Sequence, residues 1–132
     1  KETGLPKRQW LPKGIVIPSF ESSSPAKIKI RRSDWISGDA LPKYVEISGS
    51  TQSPSIYGDV SKPVIIVESE LDAILIQQEA SDLVCSIALG GVSKKPDAKT
   101  HNYLKRASLI LLSLDFDDAG KKKYSFLDDV IP

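Results

Sequence analysis

The stretch "VIIVESELDAI", residues 64–74, joins a strand pattern to a helix start within one short segment. Its first four residues are β-branched, a run typical of a strand that is buried on both faces of a parallel sheet. Ser69 stands three residues before Asp72, and this spacing predicts a capping box with Ser69 as the helix N-cap. Apolar residues at positions 71, 74 and 75 then continue at helical spacing. The segment therefore predicts a buried strand followed directly by a helix.

The alternation of strands and helices continues from residue 62 to the end of the chain. Further buried strands are predicted at "DLVCSIAL" (82–89) and "SLILLSL" (108–114), and further helices at "DAKTHNYLKRA" (97–107) and "DDAGKKKYSFLDD" (117–129). A chain of this pattern folds as an α/β layer in which helices flank a parallel sheet. We therefore expect a doubly wound α/β domain over residues 62–132.

Residues 1–61 have a different sequence pattern, which predicts a small region rich in β-strands. Three short runs have the apolar pattern of half-buried strands. They are "GIVIPSF" (14–20), "AKIKIRR" (26–32) and "KYVEIS" (43–48). The polar segment "SGSTQSPSIYG" (48–58) predicts a loop.

The composition excludes several classes of protein. Of 132 residues, 18 are basic and 17 are acidic, so any nucleic-acid surface must be a local patch. One cysteine and one histidine exclude an internal disulfide and a zinc site made of these residues, and Cys85 is expected to be a buried thiol. No apolar run approaches a membrane span and the first ten residues are polar, so we expect a cytoplasmic protein that does not contact a membrane.

Acidic residues follow two of the predicted strands of the α/β layer. Glu68 ends the first strand, and Asp115 and Asp117 follow the third. If these strands are neighbours, the three carboxylates meet at the carboxyl edge of the sheet, where such sheets bind ligands. Carboxylates this close repel one another unless a cation joins them, and hard oxygen ligands favour Mg²⁺ or Mn²⁺. Asp72 and Asp118 also suit the structural role of acids at helix starts.

Three further positions carry both a functional and a structural interpretation. Gly90 and Gly91 follow the second strand, where the absence of a Cβ allows a phosphate to come close but also suits a plain turn. Lys121 opens a lysine run after Gly120, which suits either contact with phosphate oxygens or a solvated helix start.

The acidic motifs resemble those of the toprim domain, which bacterial-type primases, topoisomerases, nucleases and recombination proteins share. The resemblance rests on "VIIVESELDAI" and on "LSLDFDDAGKK" (112–122), with "ALGG" between them. The toprim pattern has a glutamate after a first strand, an aspartate four residues later and Asp-x-Asp after a third strand. These positions are Glu68, Asp72, Asp115 and Asp117 in this chain.

The first part of the chain resembles the segment that precedes toprim in the catalytic core of bacterial-type, DNA-dependent primases. The similar features are a strand ending in Ile-Pro, a strand ending in arginine and Pro-Lys-Tyr before a polar loop. The likeness covers roughly residues 13–127. Ser69 departs from the family, because primases usually carry glycine there. The resemblance implies the catalytic fragment of a larger phage or mobile-element primase, with zinc-binding and helicase modules elsewhere in the protein.

The implied function is synthesis of RNA primers on single-stranded DNA from nucleoside triphosphates during DNA replication. Asp115 and Asp117 would be the principal catalytic metal ligands, and Glu68 would be either a further ligand or a general base. Asp72 would be a supporting acid of the same metal set, with Mg²⁺ or Mn²⁺ as cofactor. Arg32, Lys43, Gly90, Gly91 and Lys121 would contact nucleotide or nucleic acid, with Arg31 competing with Arg32 because successive strand residues face opposite ways.

Other functions fit parts of the pattern. A toprim nuclease, or a non-catalytic nucleic-acid-binding module of a recombination protein, would carry similar motifs. A topoisomerase would need a tyrosine nucleophile, for which the sequence offers no supporting context. An aspartate-nucleophile phosphatase would carry Asp-x-Asp near the start of its domain and Thr or Val at position 119, where this chain has alanine.

Overall fold

The computed structural model of the chain describes residues 9–91 and 94–114. The chain divides into two compact units between Gln52 and Ser53. We call the described residues before this point unit 1 and those after it unit 2. The sequence patterns predict the boundary between the strand-rich region and the α/β domain later, between residues 61 and 62. The identities assigned to these two regions stay predictions.

Unit 1 contains an antiparallel sheet of three strands in the order β1-β2-β3. The strands are β1 (Gly14–Glu21), β2 (Ser24–Arg32) and β3 (Tyr44–Glu46). Each predicted strand of this region is confirmed. Ser22 and Ser23 connect β1 to β2 with positive φ angles of 47° and 68°. Two such residues in a row match the right-handed twist of the strands, so that this short turn sets the hairpin register.

Pro18 lies within β1, and its backbone nitrogen points towards the free edge of the sheet. Its partner across the pair is Ile28. The amide of Ile28 donates to the Ser50 hydroxyl at 3.0 Å and its carbonyl accepts from Ile47 at 2.9 Å, so both backbone groups of Ile28 point towards β3. The facing backbone groups of Pro18 therefore point away from β2, where a missing N–H costs the ladder no hydrogen bond.

Unit 2 is an α/β layer with the strand order β4-β6-β5-β7. Its elements are β4 (Ser55–Tyr57), β5 (Val64–Val67), α1 (Glu70–Ala80), β6 (Cys85–Ala88), α2 (Ala98–Leu104) and β7 (Ile110–Ser113). Strand β5 pairs in parallel with both β6 and β7, whereas β4 pairs antiparallel with β6. Neither helix has the length and apolar character needed to cross a membrane, a finding that covers the described residues.

Most predicted elements of unit 2 are confirmed, and one segment is corrected. The strands at β5, β6 and β7 and the two helices between them lie where the patterns indicate. The predicted loop at residues 48–58 instead contains β4, a strand of three residues that is held by pairing with β6. So short a strand has no periodicity to detect. The helix predicted at 117–129 lies outside the described residues.

The core of unit 2 has two layers because α1 and α2 pack on opposite faces of the sheet. Val64 and Ile66 of β5 pack in one cluster with Leu104 of α2. Val67, on the other face, packs with Ala73 of α1. This arrangement explains why β5 is a continuous apolar run, since a helix covers each face. Cys85 is fully buried in the first cluster, and burial raises the pKa of its thiol to about 11, with a smaller effect of Asp59.

The start of α1 confirms the predicted cap. The Ser69 hydroxyl oxygen accepts a hydrogen bond from the Asp72 amide at 3.3 Å and donates one to the Asp72 carboxylate at 2.6 Å. Ala73 packs against the sheet, whereas Leu75 is 56% exposed. Ala73 and the partly buried Ile76 thus supply apolar contacts between α1 and the sheet.

We expect the Ser69→Ala variant to lose about 1 kcal/mol of unfolding free energy, because the first turn of α1 loses its cap acceptor. Ser69→Gly should lose only a few tenths of a kcal/mol, since glycine is itself tolerated at the N-cap. Urea unfolding followed by circular dichroism measures both values. Ser81→Ala, at the other end of α1, is the matched control, and an equal loss in this variant would contradict the cap.

Candidate active site

The order of the parallel strands makes the carboxyl edge of the unit 2 sheet the expected position of a ligand site. Strand β5 connects through α1 to β6 on one side, and β7 lies on its other side. In doubly wound sheets of this order, ligands bind beyond the carboxyl ends of the first and third strands. In this chain those strands are β5 and β7. The residues that follow β5 and β7 are therefore the candidate functional residues.

Glu68 follows β5 directly at this edge. The last pair between β5 and β7 is Val67 with Ser113, in parallel register. The condition on which the predicted convergence depends, that the first and third strands are neighbours, is therefore met. Glu68 is half-buried. Asp115 and Asp117, which follow β7 along the chain, lie outside the described residues, as does Lys121.

The glycine turn after β6 lies beside Glu68. The Gly90 amide donates to the Glu68 carbonyl at 2.9 Å, continuing the parallel ladder beyond the strand ends. Gly90 has a φ of 85°, a conformation that glycine adopts without the strain that a Cβ imposes. A Cβ on Gly91 would meet no atom of the described residues within 4 Å. The turn thus places Gly90 next to the candidate glutamate and leaves open space at Gly91.

Asp72 is exposed in the first turn of α1, and its carboxylate accepts the 2.6 Å hydrogen bond from Ser69. This contact gives it a structural role, as the sequence also suggested, and its role towards a metal stays a prediction. Within residues 9–91 and 94–114, no three acidic, histidine or cysteine side chains form a group that would hold a metal ion. The predicted set includes two aspartates beyond these ranges.

Arg32 organises the loop that follows β2 in unit 1. Its guanidinium contacts Asp34 at 3.1 Å, Asp39 at 2.9 Å and the Leu41 carbonyl at 3.3 Å. Hydrogen bonds with Asp34 and then Asp39 raise its pKa. The pKa of Asp39 is lowered, first by the Leu41 amide and then by Arg32. Arg32 therefore already has a structural function, and its predicted contact with nucleic acid stays a prediction.

The other basic candidates are Arg31, which lies in β2, and Lys43, which directly precedes β3. The Lys43 ammonium lies 5.6 Å from the centre of the Trp35 ring, a cation–π contact. Arg31 is half-buried and pairs with Tyr44 across β2 and β3. Because Arg31 and Arg32 are consecutive strand residues, their side chains lie on opposite faces. Arg31 does not share the ion pairs of Arg32.

Two lysines on β2 are buried, which their sequence pattern does not predict. Lys27 is 1% exposed and Lys29 is 4% exposed, on the same face of the strand as Arg31. Lys29 lies 3.7 Å from a Glu46 oxygen and 6.0 Å from the centre of the Tyr44 ring. The alternation in "AKIKIRR" does indicate a row of basic side chains on one face. It carries no sign that this row is buried.

Comparison with known proteins finds a likeness to a solved structure. No protein-family model and no curated protein matches the chain. Among solved structures, it is similar to the gp4 primase domain in the structure of bacteriophage T7 lagging-strand DNA polymerase interacting with primase domains of two gp4 subunits bound to an RNA/DNA hybrid and dTTP. The identity is 21% and the TM-score is 0.56, over 83% of this chain and 56% of that chain. The chain has a primase-like fold.

This likeness confirms the primase-like fold that the sequence resemblance implied. The chain spans about half the length of the T7 primase-domain chain, 56%, and at this level of identity the likeness concerns the fold alone. The primase-like fold is consistent with the small α/β architecture of two sheets and two helices in the described residues. The finer toprim assignment stays a prediction.

We expect Arg32→Gln to raise the pKa of Asp39 part of the way to its ordinary value, because the Leu41 amide still donates to the carboxylate. In the unchanged protein, the lowered pKa means that this pair stabilises unit 1 above the ordinary pKa of aspartate, and that the stabilisation is lost as the pH falls through the lowered value. Carboxyl ¹³C NMR titration measures the shift. Arg31→Gln is the control, and an equal shift in that variant would contradict the assignment.

Proposed function

We propose that the chain carries out metal-dependent nucleotidyl transfer, making RNA primers on a single-stranded DNA template during DNA replication. The observation that carries this proposal is the parallel pairing of β5 with β7, which ends at Val67 and Ser113. Glu68 follows Val67 directly in the chain, and Asp115 and Asp117 follow Ser113 by two and four positions, which supports the proposal that they meet. The primase-like fold supports the same function. In this proposal, residues 62–132 form a toprim domain.

Glu68, Asp115 and Asp117 are the proposed catalytic metal ligands, with Asp72 in support. The two described members, Glu68 and Asp72, offer carboxylate oxygens, the donor type that Mg²⁺ and Mn²⁺ prefer. A bound ion of this kind would lower the pKa of a 3′-hydroxyl and stabilise negative charge on phosphate oxygens. The donor chemistry therefore fits the proposed cofactor.

The reaction forms a bond between the 3′-oxygen of the growing strand and the α-phosphorus of a nucleoside triphosphate. The bond between the α-phosphorus and the bridging oxygen breaks, and pyrophosphate leaves. Glu68 is the candidate acceptor for the hydroxyl proton if it is not itself a ligand. The Ser69 hydroxyl holds the Asp72 carboxylate in one orientation. The open space at Gly91 suits the approach of a phosphate group.

The proposed partners are a single-stranded DNA template and nucleoside triphosphates. The structure of the T7 neighbour includes an RNA/DNA hybrid and dTTP, and we propose ligands of the same classes for this chain. Lys43 and either Arg31 or Arg32 would contact nucleic acid in unit 1, and Lys121 would contact phosphate. Zinc-binding and helicase modules are proposed for the full-length protein.

The metal site is tested by titrating Mn²⁺ into the chain and into its Asp115→Asn/Asp117→Asn variant. We expect the variant to bind more than about tenfold more weakly, because each carboxylate supplies an oxygen ligand and a negative charge. Isothermal titration calorimetry measures the affinity. Asp118→Asn changes a neighbouring acid and should leave the affinity close to that of the unchanged chain. Identical binding by all three proteins would show that the acidic cluster is not the site.

The reaction itself is tested with single-stranded DNA and ribonucleotides, using the full-length protein. The proposal predicts short RNA products that disappear in the Glu68→Gln variant. Cleaved template without primers would instead identify a toprim-family nuclease. Template binding with neither product, unchanged by the acidic substitutions, would identify a non-catalytic module such as those of recombination proteins.

A further inference from the structure

The two helices of unit 2 differ in the sign of the charges that they and their flanking residues carry. Helix α1 covers one face and α2 covers the other. All charged residues from position 70 to 82 are acidic, namely Glu70, Asp72, Glu79 and Asp82. From position 94 to 106 one acid accompanies five bases, namely Lys94, Lys95, Lys99, Lys105 and Arg106. A chain whose net charge is only +1 thus concentrates positive charge around α2.

The basic side chains lie on the outward side of α2 and at its two ends. Thr100 and Leu104, four residues apart, are buried and define the side that faces the sheet. The exposed polar residues are Lys95 before the helix, Lys99 and Asn102 on it, and Lys105 and Arg106 after it. We call these five residues the α2 basic surface.

The acid in this segment does not neutralise the α2 basic surface. Asp97 is the N-cap of α2 and accepts the Thr100 amide at 2.8 Å. The side chains of Lys95, Lys105 and Arg106 make no ion pair or hydrogen bond with any described residue. At least these three charges of the surface therefore have no partner in the part of the chain that the structure describes.

The α2 basic surface runs along the whole height of the sheet. Helix α2 connects the carboxyl end of β6 to the amino end of β7. Lys95 therefore lies at the edge of the sheet where Glu68 and Gly90 are found, and Arg106 lies towards the opposite edge. The helix alone is about 10 Å long, a length over which duplex DNA carries roughly six phosphate charges.

We propose that the α2 basic surface binds the sugar–phosphate backbone of the nucleic acid that leaves the carboxylate edge. The inference rests on the proposed function, which supplies the nucleic acid. A sugar–phosphate backbone requires only cations and polar groups from its partner. A folded acidic protein would also require an apolar centre to the interface. Helix α2 has no large exposed apolar side chain among these exposed polar residues. A nucleic-acid backbone therefore fits the surface better than a folded acidic protein does.

The test measures binding of fluorescent oligonucleotides to the full chain between about 50 and 200 mM salt, in the presence of EDTA. The variant is Lys105→Gln/Arg106→Gln, in which two exposed charges are removed. We expect the slope of log affinity against log salt to fall by about 1.4 for single-stranded DNA or about 1.8 for a duplex. Separate arms with single-stranded DNA, RNA–DNA hybrid and duplex DNA identify which form uses the surface.

The matched control is Glu79→Gln/Asp82→Asn, which removes two exposed acids on the α1 face. Its slope should stay close to that of the unchanged chain, and both variants should keep the thermal midpoint. The proposal is overturned if the basic variant keeps the full slope, if the acidic variant shifts affinity equally in the opposite direction, or if the unchanged chain binds no oligonucleotide. Equal displacement by a polyglutamate peptide would identify an acidic protein as the partner instead.

Failure of this inference is distinguishable from failure of the proposed function. Oligonucleotide binding in EDTA needs no metal ion, whereas the manganese titration needs no nucleic acid. Normal metal binding together with an unchanged salt slope would reject the α2 basic surface and leave the carboxylate site intact.

Discussion

The position of β5 between two parallel strands is the constraint on which the rest of unit 2 depends. A parallel pair cannot be closed by a tight turn, so the chain must cross over the sheet between strands. Both crossovers contain a helix, and the two helices cover opposite faces. The same geometry brings the carboxyl ends of β5 and β7 to one edge. A site of polar residues can therefore form there without interrupting the apolar core.

Sequence predicted the elements whose signal is local. The β-branched run of β5 and the cap at Ser69 each depend on residues close together in the chain, and both are confirmed. Strand β4 was missed because its three residues are fixed by pairing with β6, about 30 positions later in the sequence. Long-range pairing leaves no periodic trace in so short a segment. The order of the strands likewise had to be supplied by the structure.

In the candidate site, too, features that depend on nearby residues in the sequence were predictable, whereas those that depend on long-range contacts were not. Glu68 and Gly90 were both expected at the carboxyl edge, and a backbone hydrogen bond now joins them. The role of Arg32 was harder to predict, because its sequence context is the same whether it contacts a phosphate or the loop after β2. Its contacts with Asp34 and Asp39 depend on how that loop folds back. Burial of Lys27 and Lys29 is likewise a property of the folded chain.

The two kinds of charge in unit 2 have complementary consequences for a nucleic-acid ligand. Carboxylates at the sheet edge repel phosphate groups, so the proposed reaction requires a cation between them. That cation acts at short range and does not hold the rest of the strand. In our proposal, the positive charges along α2, which extend from the carboxylate edge towards the opposite edge, would supply attraction over several phosphates. If both proposals hold, separate placement of the two charges would let the reaction centre be acidic while the strand itself is still attracted to the protein.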